Sequence, residues 1–399
     1  MEVKKRNKIN INKNLIIMIL IIYSTMLLFG MTENIKGVSF PLIKDEFGVA
    51  YTSQGGLVSS SWFGYVIFCV VATLSLERYG SKKSLGFGYI FICLGCILVS
   101  FSNSFYSVNA SLMILWMGFG FFEVGSNAMA TTVFKSNSAI YMNLMHFFYG
   151  FGAVLGPKLA GLAVEKFDAG FKGIYLITLV PMVIVLSMVI MSKTDEQNET
   201  ESSSMTMKEA LRNKYVWMFA ICLGFMEVIE FSAANWGSFY LRDAFGIDPL
   251  KLGATFVSVY YIFFTISRLC SGFAIEKIGY IKSIIISLVS IFVLYIAGFL
   301  FGSKGIWILA FTGFFSAIMW PTLMCIAMNI FKQEAAIATS VIIVISGSIN
   351  GVMQLVTGII NEYIGNLWGY RLSALYVLIP IYFIILIAKK SKKNTHINA

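Results

Sequence analysis

The sequence predicts an all-α membrane protein of twelve transmembrane helices in two six-helix, pseudo-symmetric bundles. Three observations carry that expectation. The chain is 58% hydrophobic and 13% charged, with a mean hydropathy of +0.79. A soluble domain carries about 25% charged residues, so this chain has too little charge to cover a water-facing surface. Apolar runs long enough to cross a hydrocarbon core of about 30 Å recur throughout. A small charged loop also occurs twice, as "LERYGSKKS" (76–84) and "IEKIGYIKS" (275–283), with an offset of 199 in 399 residues. Unpaired backbone groups are costly in lipid, so each span is expected to be a helix.

The elements follow in order. "MEVKKRNKININKN" (1–14) is a basic tail. The first span, 15–40, continues without an A-x-A cleavage site and is read as retained. Spans 54–76 and 84–101 flank the first copy of the charged loop. Span 109–133 carries an acid at membrane depth, and span 141–164 is rich in Gly with one Pro, which suits close helix packing and a kink. Span 174–192 completes an N-terminal bundle, 15–192. The linker 193–213 is rich in Ser, Glu and Thr, with "TMKEALRNK" expected as a short interfacial helix. Spans 214–241, 250–275, 282–301, 305–329, 334–360 and 371–388 form a C-terminal bundle, 214–388, and 389–399 is a second basic tail. At the end of the first span of each half, "GVSFPLIKDEFG" (37–48) is echoed by "GSFYLRDAFG" (237–246). Duplicated halves that rock about a central site are a known way to build a transporter.

Charge placement sets orientation. With both tails cytoplasmic, 20 of the 30 Lys and Arg fall on that side, 7 on the other, and Lys36, Lys158 and Arg268 within spans. The net charge of +10 then reads as a topology signal with attraction to anionic lipid, and not as a nucleic-acid footprint. The six Cys (69, 93, 96, 222, 270 and 325) all lie in apolar runs without metal-ligand spacing, and Cys93–Cys96 reads as buried thiols. No cofactor, metal or catalytic residue is expected. There is no HExxH, no Walker loop and no paired Asp with protease flanks, so the chain is not expected to be an enzyme.

An ionisable group at membrane depth asks for a reason. Glu123, in "WMGFGFFEVGSNAMATTVF", is the first candidate, with Asn127 one turn on and on the same face. It reads as a proton carrier lining a cavity, or as an acid paired for structure. Asn143 and His146 share a face of the fifth span; His146 is a substrate or proton group or a hydrogen-bonded core residue, and the other His, His396, is in the tail. In "FMEVIEFSAANWGSFYL", Glu227 and Glu230 are three apart; Glu230 shares a stripe with Ala234 and Gly237, and Asn235–Trp236 follow. The Trp either stacks on a sugar ring or marks the interface. Glu33, Asn34 and Lys36 lie late in the first span as an outer gate or part of the site, with Glu33 and Lys36 spaced to neutralise one another. Asn350 and Gln354 offer polar contacts from the second half, and Arg268 is expected to serve the inner gate.

The repeated loop resembles that of the major facilitator superfamily, roughly G-x-x-x-[DE]-R-x-G-[RK]-[RK]. Glu77, Arg78, Gly80, Lys82 and Lys83 match it, with Thr73 in place of the first Gly and Ser81 in place of a basic residue. Gly272, Glu276, Lys277, Gly279 and Lys282 match in the second half. The resemblance implies a gate latch in which an acid at a helix end pairs across the two bundles in one state and releases in the other. "GFGFFEVGSN", "NLMHFFYGFGAVLGP", Glu230 with Asn235–Trp236, and "SAIMWPT" resemble the fucose:proton-symporter-like branch. That resemblance implies substrate and proton roles for Glu123 and Asn143. Fucose-type members carry an Asp three residues past the span-one Asn; this chain has Gly37 there, and Glu33 is the alternative acid. Coupling then rests on Glu123 alone or with Glu230.

The expected function is proton-coupled symport of a sugar or similar small polar solute by alternating access. The alternative is a proton-driven drug or metabolite exporter, since "GAVLGPKLAG" resembles the Gly-Pro kink of drug antiporters. The expected partners are the small-molecule substrate, protons and the lipid bilayer, with no nucleic acid and a monomeric state. The expected location is a bacterial inner (plasma) membrane.

Overall fold

A computed structural model describes residues 13–134, 138–192 and 205–391. The two tails and most of the linker, which carry several expected features including His396, lie outside the described residues. Among the described residues, twelve helical spans are long and apolar enough to cross a membrane. Spans 1 to 6 are Asn14–Phe47, Tyr51–Leu76, Arg78–Phe101, Phe105–Ala130, Leu144–Phe167 and Gly170–Met191. Spans 7 to 12 are Lys214–Phe245, Pro249–Ile278, Tyr280–Leu300, Gly302–Phe331, Ile337–Tyr363 and Trp368–Lys389. No strand occurs among the described residues. The expected linker helix is present as Met207–Arg212. It starts in a capping box in which Thr206 and Glu209 exchange bonds. The Thr206 backbone N–H, with its hydroxyl, holds the Glu209 carboxyl below the usual carboxylate range.

The two copies of the charged loop adopt the same turn. Gly80 has φ 79° and ψ 169°, and Gly279 has φ 92° and ψ 144°. A side chain disfavours that backbone region, which is why each copy has Gly at the reversal between its second and third spans. The other repeated segment also ends alike, with left-handed Gly48 (φ 58°) and Gly246 (φ 65°) closing spans 1 and 7.

Packing follows the same duplication. Span 1 packs on span 5, as span 7 does on span 11; span 8 packs on span 10 as span 2 does on span 4. Close approach depends on small residues: a side chain at Gly152 would strike the Leu27 carbonyl of span 1. Between halves, span 1 meets span 7, span 2 meets span 11, and span 5 meets span 8. A twofold axis along the spans maps the first contact onto itself and exchanges the other two. Spans 6 and 12 are the least enclosed and direct Ile177, Val180, Ile184, Leu375 and Tyr382 outward, where a bilayer removes them from water. Span 7 is the most enclosed, buried continuously from Met226 to Leu241, so its polar groups face protein.

We call the end of the bundle near Lys13 and Ser391 the tail end and the opposite one the far end. At the far end a polar cluster crosses the halves. Arg242 donates to both carboxylate oxygens of Asp45 at 2.9 and 3.0 Å, and to Asp243 at 3.1 Å. The Tyr51 hydroxyl donates to Asp243, and the Tyr51 backbone N–H to Glu362 at 2.9 Å. Lys44 lies 4.4 Å from the centre of the Tyr51 ring. Lys44–Asp45 and Arg242–Asp243 occupy matching places in the repeated segment. Below this cluster the halves stay in contact down to Gly347, where a side chain would collide with Val66, and Gly150, where one would collide with Thr265.

Candidate functional site

Level with the innermost of those contacts a cavity lies where the halves meet, with about 100 Å³ of water-accessible space. That is room for several waters or one small solute. Its ionisable lining is Glu33, Glu123, His146, Glu227, Glu230 and Arg268. Span periodicity explains this gathering, because each charge sits on the one face of its helix that is turned from lipid.

Glu123 is held by Asn127, whose amide donates to Glu123 Oε1 at 3.0 Å and to the Glu123 backbone carbonyl at 2.7 Å. Glu33 forms the roof. Its Oε1 accepts from Lys36 Nζ at 3.2 Å and its Oε2 from the Tyr149 hydroxyl at 2.6 Å. Lys36, 2% exposed, lies 4.9 Å from the ring centres of both Trp116 and Phe231, one from each half. A buried ammonium is tolerated here because a carboxylate and two aromatic faces replace its water. Glu230 and Arg268 enter the cavity from the C-terminal half. Aromatic rings make the remaining wall: Trp62 lies 5.2 Å from Trp116 and 4.9 Å from Phe231, and Phe29 lies 4.9 Å from Phe119.

Of the residues expected at the site, Glu33, Glu123, His146 and Glu230 line the cavity, and Asn127 supports Glu123. Asn34 does not line it; its amide donates to the Gly30 carbonyl of its own helix at 2.9 Å. Trp236 is 1% exposed and its indole N–H donates to Gln354 at 2.9 Å, while Gln354 donates to Asn350 at 2.8 Å. These three form an inter-helix polar chain between spans 7 and 11. The expected stacking surface at Trp236 is therefore absent from this cavity. At about 100° per residue, Trp236 lies some 240° around span 7 from Glu230, and Asn235 about 140°. Asn235 is 2% exposed and also lies outside the lining. Asn350 and Gln354 sit farther toward the far end than Ile343 and Gly347, which do line the cavity. The Asn143 side chain lies outside the described residues.

Arg268, expected at the gate, instead lines the cavity, with its guanidinium 4.7 Å from the Phe264 ring centre. It sits three residues beyond Thr265, where the halves part. Of the other gate residues, Arg78, Glu276 and Lys277 are exposed and make no ion pair among the described residues. Lys82 donates to the Ile190 carbonyl at 3.2 Å and to that of Ser192, within its own half. The Glu77 side chain lies outside the described residues. Sequence reasoning did not anticipate Tyr65, Tyr149, Trp62, Trp116 and Trp320 in the lining. Aromatic residues make up 15% of the chain, so composition does not single these out.

Comparison with known proteins agrees with this architecture. The family model of the Major Facilitator Superfamily matches residues 22–353. The L-fucose-proton symporter of Escherichia coli (strain K12) is 21% identical over 405 residues, covering 89% of each chain. The fosmidomycin resistance protein of the same organism is 21% identical over 227 residues, and the match spans 56% of that protein's length. The crystal structure of the transporter FucP in the outward conformation superposes with a TM-score of 0.66 at 17% identity, covering 94% of this chain and 99% of that one. The twelve spans, the duplicated turn and the match over most of the chain lead to one conclusion: the protein belongs to the Major Facilitator Superfamily.

Proposed function

We propose that the chain carries a sugar or similar small polar solute together with protons, by alternating access of two bundles, 15–192 and 214–388. The observation that carries this reading is the cavity where the halves meet, to which Glu123 and His146 come from one half and Glu230 and Arg268 from the other. Carboxylates and aromatic faces suit hydroxyl-rich solutes, which need hydrogen bonds at their edges and apolar contact on their faces. The L-fucose-proton symporter among the relatives supports the same class. With the tails in the cytoplasm of an inner membrane, as the Lys and Arg distribution favours, the far end is outer and the cavity faces inward. The protein acts as a monomer, and its cytoplasmic loop residues Arg78, Lys82, Glu276 and Lys277, with Glu77, latch the halves in the opposite state.

The test is uptake of radiolabelled hexoses into proteoliposomes under an imposed proton gradient. Accumulation is expected in the wild type, and Glu123→Gln is expected to abolish accumulation while leaving solute exchange. Full gradient-driven accumulation in Glu123→Gln would remove Glu123 from the coupling. A second reading, proton-driven export, draws on the matched resistance protein and the Gly156–Pro157 pair of span 5. Everted vesicles separate the two, because protons leaving an acidic lumen drive solute into the lumen through an exporter and out of it through a symporter.

A further inference from the structure

Four carboxylates line the cavity, Glu33, Glu123, Glu227 and Glu230. Glu33 is paired with Lys36 at 3.2 Å, whereas Glu123, Glu227 and Glu230 make no ion pair within 4 Å among the described residues. Glu227 lies one turn before Glu230 on span 7 and is 8% exposed. Its Oε1 accepts from the Ser346 hydroxyl at 3.2 Å, and its Oε2 has no hydrogen-bond partner among the described residues. The groups facing it are Glu230 on its own span, Glu123 on span 4, Tyr65 and Cys69 on span 2, Trp320 on span 10 and Ser346 on span 11. None of these is a cation. Arg268 lines the cavity from span 8 with its guanidinium 4.7 Å from the Phe264 ring centre, and makes no ion pair with Glu227. An ionised carboxylate there would stand beside two other acids with no cation paired to it, only the Ser346 hydroxyl and the Trp320 indole beside it as donors, and burial penalises that state far more than the neutral acid.

We propose that Glu227 is a second proton-binding site, in the C-terminal half, and that it holds its proton in this conformation. The proposal rests on the proton-coupled reading only for its meaning in the transport cycle, where Glu123 in one half and Glu227 in the other each carry a proton. The protonation itself is measured without any substrate. Infrared spectra of the full chain in lipid nanodiscs at neutral pH are compared between wild type and Glu227→Gln. The wild-type-minus-variant difference is expected to show one neutral-carboxyl C=O band, and Glu230→Gln is expected to leave that band in place. A difference showing ionised-carboxylate bands instead overturns the proposal. Ser346→Ala provides a second measurement if Glu227→Gln does not fold. Removing the donor to Oε1 is expected to move the same band to higher frequency, and an unmoved carboxyl region overturns the assignment. Loss of accumulation in Glu123→Gln without a Glu227 band would leave the proton-coupled reading intact and remove this one. The band in a wild type that shows no proton-driven accumulation would do the reverse.

Discussion

Replacing Arg242 by Gln is expected to loosen the far-end seal and shift the carrier toward a far-end-open state. Arg242 makes two contacts across the halves, to Asp45 at 2.9 Å and to the Tyr51 hydroxyl at 3.4 Å. The Arg242 side chain is 23% exposed and that of Asp45 60%, so solvent screens the ion pair to roughly 0.2–1 kcal/mol. The Tyr51 contact adds about 0.5–1 kcal/mol. A loss of about 1–2 kcal/mol changes the ratio of the two states by roughly 5–30-fold. The remaining ties, Tyr51 with Asp243 and with Glu362, limit the effect to a shift and preserve the fold. Spin labels at exposed Asn103 and Ser303, in the far-end turns of the two halves, report the separation by double electron–electron resonance. The six native Cys are replaced beforehand. The long-distance population is expected to rise by that factor, and Asp45→Asn is expected to give a smaller rise in the same direction. An unchanged distance distribution in Arg242→Gln, or a shift toward tail-end opening, would refute the reasoning.

Other substitutions test the remaining assignments. Trp236→Phe leaves the Gln354 carbonyl without its donor, so a stability loss of about 1–3 kcal/mol is expected by denaturant titration, with transport unchanged. A selective loss of solute binding would return Trp236 to the site. Gly80→Ala and Gly279→Ala each place a side chain at strongly positive φ and are expected to cost about 1–2 kcal/mol, read as a lowered melting temperature. Equal effects are expected because the two turns are the same, whereas an effect at one alone would contradict their equivalence. Gly152→Leu drives a side chain into the span 1 backbone, so loss of folded protein in size-exclusion profiles is expected, and a monodisperse variant would show that spans 1 and 5 do not pack as described.

Much of the architecture was legible along the chain. An unpaired peptide group is costly in lipid, so length and apolarity alone located twelve spans, with bounds within seven residues of those observed. The repeated charged loop identified the duplication because its glycines answer to a local backbone demand, positive φ at a reversal. The cavity was legible in part, since an acid at membrane depth has few places to go. That argument located Glu33, Glu123 and Glu230. Applied to Arg268, it would have placed that residue in the cavity as well; nearness to the repeated loop in sequence outweighed it. The far-end cluster was present as "IKDEFG" and "LRDAFG", whose charges read only as loop charges until folding brought the two copies together.

The sequence by itself determined the number of spans, their duplication and the set of ionisable groups that must avoid lipid, because each follows from a residue's own solvation or backbone preference. The tertiary structure alone decided which of those groups share one cavity, which of Asn350, Gln354 and Trp236 satisfy each other instead, and which end of the bundle is sealed. Those outcomes depend on distances between spans far apart in the chain, and helix rotation sets them through packing that no single span encodes.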